Sequence, residues 1–246
     1  RRKLKYTRRM LYHAAWLSVF GVVLSSICFQ YSLKYAGAGV VATVWGTNPL
    51  LVLALSAVVL GEPLTRVRVV GVVAGFAGIV ILSLSKESET FTLWGLGYAL
   101  GASLSFAIFT VFVKRFAGAY AGLPFTTVCT FWGALFLLPL VWAEGGPPDM
   151  AVLYKTWPIL LYLGILSTGL AYLLYFMGLE HIEATQAASV LFLKPPLATA
   201  LAAVLLGEPI TGYLLGGISC VLAGLYLIVR TGRKRAARIA GRAQRP

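Results

Sequence analysis

Residues Ala200–Thr211 read ALAAVLLGEPIT, and residues Ala54–Thr65 read ALSAVVLGEPLT. The two stretches are 146 positions apart, and the same offset pairs Pro49 with Pro195, Ala42 with Ala188 and Leu24 with Leu170 upstream. Downstream it pairs Gly71 with Gly217 and Gly78 with Gly224. A repeat of this length means that one supersecondary unit is used twice, so the fold has to be read as two related halves.

The composition says where those halves reside. The chain of 246 residues is 59% hydrophobic and only 12% charged. A soluble domain carries about twice that charged share. The apolar residues come in blocks of about 17–23, enough to cross about 30 Å of hydrocarbon as helix. The expected spans are Leu11–Leu33, Val40–Leu60, Val67–Leu84, Leu93–Val113, Leu123–Trp142, Trp157–Leu179, Ala184–Leu206 and Tyr213–Val229. They are joined by polar loops at Ser85–Thr92 and Ala143–Thr156, and the basic tail Arg230–Pro246 is expected to be disordered. The chain is therefore an all-α integral membrane protein.

The net charge of +13 does not mark a nucleic-acid binder, because the basic residues gather at both ends and in short loops. With Arg1–Arg9 placed in the cytoplasm and the sides alternated, 17 Lys and Arg fall inside and only Lys34, Lys86 and Lys155 outside. That asymmetry orients a multi-pass protein of a bacterial inner membrane with its C-terminus in the cytoplasm. Trp94, Trp142 and Trp157 near span ends suit interfacial anchoring. Gly61-Glu62-Pro63 then faces inward and Gly207-Glu208-Pro209 outward, so the repeats are inverted, as in many secondary transporters.

The offset also sets an expectation about length. The fourth and fifth spans have no partners 146 positions earlier, so two further helices are expected upstream. The protein would then be a five-plus-five helix repeat of which eight of ten helices are present. Residues 1–84 form the first repeat, 93–229 the second and 230–246 the tail.

The doubled motif, an apolar helix with a central Pro ending in (V/L)LGEP(L/I)T and followed by a Gly-rich helix, resembles the EamA-type branch of the drug/metabolite transporter superfamily. The resemblance covers essentially the whole chain. It implies ten helices, cytoplasmic termini and movement of small organic solutes such as amino acids, other metabolites or drugs. Many relatives carry a carboxylate just before the central Pro of the second copy. This chain has Lys194 there, which removes any carried-over carboxylate role in proton coupling.

Chemistry-bearing residues are few. Cys28, Cys129 and Cys220 lie in apolar blocks without metal-ligand spacing, and His13 and His181 form no triad with the lone aspartate, Asp149. No paired acid/base or metal set is present, so no enzyme and no cofactor are expected, and without a GxxxxGK[ST] loop direct ATP drive is not supported. The expected partners are a small organic solute and the lipid bilayer, with a homodimer one arrangement left open. Glu62 and Glu208, beside Pro at helix ends, read as turn and cap chemistry, with a gate or coupling site as the alternative. Glu180 and Glu183 are expected to be solvated in a connection.

Polar side chains at mid-span have an insertion cost and so mark the expected site. Trp45 and Asn48 share a helix face, and Asn48 precedes the kinking Pro49. Thr168, Tyr172 and Tyr175 share another, as do Ser103, Phe106 and Thr110. Asn48 reads alternatively as satisfying the backbone that Pro49 frees, and the other two faces as interhelical glue. Lys194 stands at the centre of the seventh span, where a Lys costs about 3 kcal/mol. Three roles are open to it: binding a substrate carboxylate or phosphate, coupling protons, or a structural role bonded to kink carbonyls or to an acid on the expected upstream helices. The leading function is a secondary carrier working by alternating access; a flippase for lipids or lipid-linked groups is the alternative.

Overall fold

Apolar runs without internal polar partners satisfy their backbone only as helix, and every regular element among the described residues is helical. The computed structural model describes residues 7–83, 92–117, 119–120, 122–143, 146, 149–206 and 212–243. The Ser85–Thr92 loop up to residue 91, part of the Gly145–Pro148 run and Gly207-Glu208-Pro209 lie outside them.

Thr7 starts the first helix by accepting the Met10 amide on its hydroxyl at 3.2 Å. Helix α1 (Arg8–Ser18) runs through a π segment, Val19–Leu24, into α2 (Ser25–Tyr35). Helices α3 (Ala38–Trp45) and α4 (Asn48–Leu60) form one interrupted rod, and α5 (Arg66–Ser83) follows. Then come α6 (Leu93–Ala117) and α7 (Gly122–Ala143). Helix α8 (Met150–Leu161) continues through a second π segment, Tyr162–Leu170, into α9 (Ala171–His181). Helix α10 (Ala184–Ser189) passes through a 3₁₀ turn, Val190–Leu193, into α11 (Lys194–Leu206), and α12 (Gly212–Ala243) closes the chain. Among the described residues, five helical stretches, Arg8–Tyr35 and Met150–His181 among them, are long and apolar enough to span a membrane.

Two boundaries differ from the sequence reading. The expected polar loop through Thr156 ends early, because Asp149 accepts the Ala151 amide at 3.0 Å and starts α8 at Met150. The tail expected to be disordered is helical as far as Ala243. Its Ala, Arg and Lys are strong helix formers, and α12 is already propagating when it reaches them.

The interruptions fall at matching places in the two copies. The break at Gly46–Thr47 corresponds, 146 positions on, to residues 192–193 inside the 3₁₀ turn. Pro49 stands in the first turn of α4, where its missing amide removes no helical bond. The expected mid-span kink is thus a helix end followed by a new start. The two π segments also overlap under the offset, since Val19–Leu24 maps onto 165–170. Gly61 ends α4 at φ +65°, a left-handed conformation that glycine adopts without strain.

Helices α5 and α12 make the tightest pairing, and its pattern is symmetric. A Cβ added at Gly71 would lie 2.9 Å from the Gly224 carbonyl oxygen, and one at Gly78 would lie 2.7 Å from that of Gly217. Gly217 is the offset partner of Gly71 and Gly224 that of Gly78, so each glycine meets the other's counterpart. Leu82 covers Gly217 as Ile228, its own counterpart, covers Gly71. Contact of i with j′ and of j with i′ is the signature of a two-fold relation, and the descending partner numbers make the helices antiparallel. Small residues permit this approach where lipid provides no hydrophobic drive between helices. In α6 the close approach is at Gly95, whose Cβ would lie 2.8 Å from the Tyr35 carbonyl oxygen.

The rod Met150–His181 is exposed along most of its length, with only Phe176 and Leu179 buried. Its counterpart Arg8–Tyr35 lies against α6 and α7, where Phe109 and Val22 fill the space beside Gly21 and Gly133.

Candidate functional site

A cavity of about 610 Å³ lies where the two interrupted rods and the two π-bulged rods converge. Trp45, Gly46 and Pro49 reach it from the α3–α4 break, and Leu191, Phe192 and Lys194 from the α10–α11 break. Ser25, Ser26, Phe29 and Gln30 line it from just beyond the first π segment, and Ser167, Thr168 and Tyr172 from the second. Interrupted helices and π-bulges both leave irregular backbone, which is tolerated at membrane depth only where it lines a cavity or is covered by protein. The cavity runs on to Leu33 and Ala38 at the α2–α3 turn and to Leu82 at the end of α5.

Four of the eight sequence-expected site residues line it: Trp45, Thr168, Tyr172 and Lys194. The other four stand behind the wall. Asn48 is fully buried, and its Nδ2 donates to the Ser103 carbonyl oxygen at 2.8 Å. Ser103 is buried too, its hydroxyl 3.4 Å from that of Thr47. Phe106 packs its ring 5.6 Å from Trp45 and 6.0 Å from Tyr172. Tyr175 turns towards Phe106 and Phe176, and its hydroxyl is buried. So α6 supports the site, holding the α3–α4 break through Asn48 and backing the aromatic wall through Phe106. The sequence reading missed Ser25, Gln30 and Ser167. The offset gave a partial signal, because it pairs Ser26 with Tyr172 and both line the cavity.

The aromatic wall is ordered by edge-to-face contact. Phe29 and Trp45 meet with ring centroids 5.3 Å apart at 73°. Ser25 donates to the Ala102 carbonyl oxygen at 3.4 Å, which ties the lining to α6.

On the side towards Arg8 the space beneath the cavity is filled. Val52, Ser56, Thr185, Ala188 and Ser189 are fully buried there. Below them lies an ionic cluster that joins the two copies. Glu62 accepts the Ala184 amide at 2.6 Å and the Thr185 hydroxyl at 2.8 Å. It thereby caps the N-terminus of α10, a helix of the other copy, where a carboxylate also meets the positive end of the helix dipole. Arg68, fully buried, lies 3.9 Å from Glu62, pairs with Glu183 and donates to the Pro63 carbonyl oxygen at 3.2 Å. The Thr185 hydroxyl continues to Ser56 at 3.1 Å. Lys114 donates to the Leu179 and Glu180 carbonyl oxygens at 2.6 and 2.9 Å, closing the C-terminal end of α9.

Two expectations are corrected here. Glu62 does more than terminate its own helix, because its carboxylate caps α10. Glu183 is not a solvated loop residue: it is half-buried, paired to Arg68, and forms a reciprocal capping box with Gln186. Glu180 is exposed as expected.

A helical, polytopic architecture with a solute-sized cavity at its broken helices defines the class as a membrane transport protein rather than a soluble binder. The chain belongs to the EamA-like transporter family, whose model matches residues 1–84 and again 93–230. An "Uncharacterized transporter" of Archaeoglobus fulgidus is 32% identical over 219 residues, 87% of this chain and 76% of that protein. Another of the same name from Clostridium kluyveri is 27% identical and covers 95% of this chain and 76% of its own length. A Salmonella typhimurium protein named "Probable amino-acid metabolite efflux pump" is 30% identical over 83% of this chain and 72% of its own. A solved crystal structure, 21% identical, superposes with a TM-score of 0.76 over 92% of this chain and 80% of that one, which establishes the shared fold.

Proposed function

We propose that this chain is a secondary carrier of small organic solutes that works by alternating access, with residues 1–84 and 93–229 as inverted repeats. One observation carries the reading. A cavity lined by both copies at their matching helix breaks is packed shut on one side by a buried ionic cluster that also joins both copies. The antiparallel two-fold contact of α5 with α12 supports the inversion and gives the copies a shared pivot. Binding solute at the breaks would favour one tilt of the copies, and parting of Glu62 from Ala184 and Thr185 would favour the other. Trp45, Thr168, Tyr172 and Lys194 contact solute, whereas Asn48, Ser103, Phe106 and Tyr175 position the helices that carry them. The basic residues at both ends support cytoplasmic termini in a bacterial inner membrane. Amino-acid metabolites are one substrate group to test, given the efflux relative's name.

The test is counterflow in proteoliposomes. Purified protein, preloaded with members of a panel of amino acids, carboxylic acids and amines, should accumulate labelled solute of at least one group. The same vesicles carry a fluorescent lipid analogue. Exchange of lipid between leaflets without solute counterflow would replace the carrier reading with a flippase.

A further inference from the structure

We propose that the cavity selects organic monocarboxylates with a flat apolar body over zwitterions and cations; this rests on the carrier reading above. Among the described residues that line the cavity, Lys194 carries the one formal charge. Of the acids among the described residues, Glu62 and Glu183 are engaged by α10 and Arg68, Glu180 lies near the end of α9 and Asp149 starts α8. Lys194 stands exposed at the α10–α11 break beside the cavity, in an otherwise apolar span, so an entering carboxylate gains pairing that a neutral solute does not. An entering ammonium meets Lys194 with repulsion and no carboxylate among the described lining residues to offset it.

The match in charge is one to one. A phosphate monoester carries about −1.5 to −2 and would leave charge uncompensated, which favours a carboxylate. Hydroxyl and amide donors at Ser26, Gln30, Ser167 and Thr168 can complete its hydrogen bonds. Phe29, Trp45 and Tyr172 provide ring faces and edges for a planar apolar body. A volume of about 610 Å³ sits within the range of small-molecule sites.

Four ligands that share a phenyl ring on a short chain isolate charge from shape: 3-phenylpropanoate, phenylalanine, 2-phenylethylamine and 3-phenylpropan-1-ol. Equilibrium dialysis against the purified full chain should find the anion bound about tenfold more tightly than phenylalanine and about a hundredfold more tightly than the amine. Lys194→Gln should reduce the anion to the level of the alcohol and leave the alcohol unchanged, while Lys194→Arg should keep the preference. Equal binding of the amine or of phenylalanine, an anion preference that survives Lys194→Gln, or no binding by any of the four overturns the proposal. If Lys194→Gln does not fold, the ranking in the unmodified protein and in Lys194→Arg still decides. Counterflow with the same ligands separates the two readings. Counterflow of phenylalanine without the anion keeps the carrier and removes the charge selection. Anion binding without counterflow of any ligand removes the carrier and keeps the charge selection.

Discussion

Replacing Arg68 with Met should unlock the side of the protein towards Arg8. The guanidinium is fully buried, pairs with Glu183, lies 3.9 Å from Glu62 and holds the Pro63 carbonyl. Removing one partner of a buried ion pair costs about 3–5 kcal/mol, because the remaining charge stays desolvated. Glu183 retains 21% exposure, so part of that is screened, and about 2 kcal/mol is a fair differential. If parting the cluster hydrates both carboxylates, that cost applies only to the sealed form. A bias of about 2 kcal/mol shifts the balance between sealed and opened forms about 30-fold. Ser56 reports the shift, since it is fully buried between cavity and cluster. With Cys28, Cys129 and Cys220 replaced by Ala, Ser56→Cys should resist a membrane-impermeant maleimide. Adding Arg68→Met should speed its labelling from the Arg8 side by an order of magnitude or more. A folded, monodisperse Arg68→Met protein whose Ser56→Cys labels at the unmodified rate would refute a sealing role for the cluster.

Gly224→Ala should cost more than Gly75→Ala in thermal stability in detergent, by roughly 1–3 kcal/mol. The new methyl at Gly224 meets the Gly71 carbonyl at 2.4 Å, whereas at Gly75 it meets the Phe192 ring, which can turn. Asn48→Ala should lower stability by about 1–3 kcal/mol through loss of its bond to the Ser103 carbonyl, with solute affinity falling less than for Trp45→Ala. Lys114→Met should cost about 1 kcal/mol by uncapping α9, and amide exchange should rise first near Leu179 and Glu180.

Much of the fold was legible because membrane helices announce themselves by apolar length, and the offset located equivalent points in the two halves. The helix breaks were legible from Asn48-Pro49 and Lys194-Pro195, although Pro49 begins α4 rather than bending a continuous rod. The site was half legible. Face arithmetic at 3.6 residues per turn put Thr168, Tyr172 and Tyr175 together. The rod enters that region as a π segment and directs Tyr175 towards Phe106 instead. Asn48 looked like a cavity residue because mid-span polarity is costly, yet burial beside Ser103 offsets that cost equally well. The role of Glu62 was out of reach of local reading, since its partners are 122 and 123 positions away. The helical tail was misread from its charge, although its Ala and Arg content carried the opposite signal.

The central claim is that solute passes through the cavity between the two helix breaks. Thr168→Trp should fill that cavity from the second π segment without touching the ionic cluster or the α5–α12 pairing. Counterflow in proteoliposomes should then fall to the protein-free rate, while thermal stability stays within about 1 kcal/mol of the unmodified protein. Counterflow that persists at the full rate in a folded Thr168→Trp protein would show that the solute takes another path.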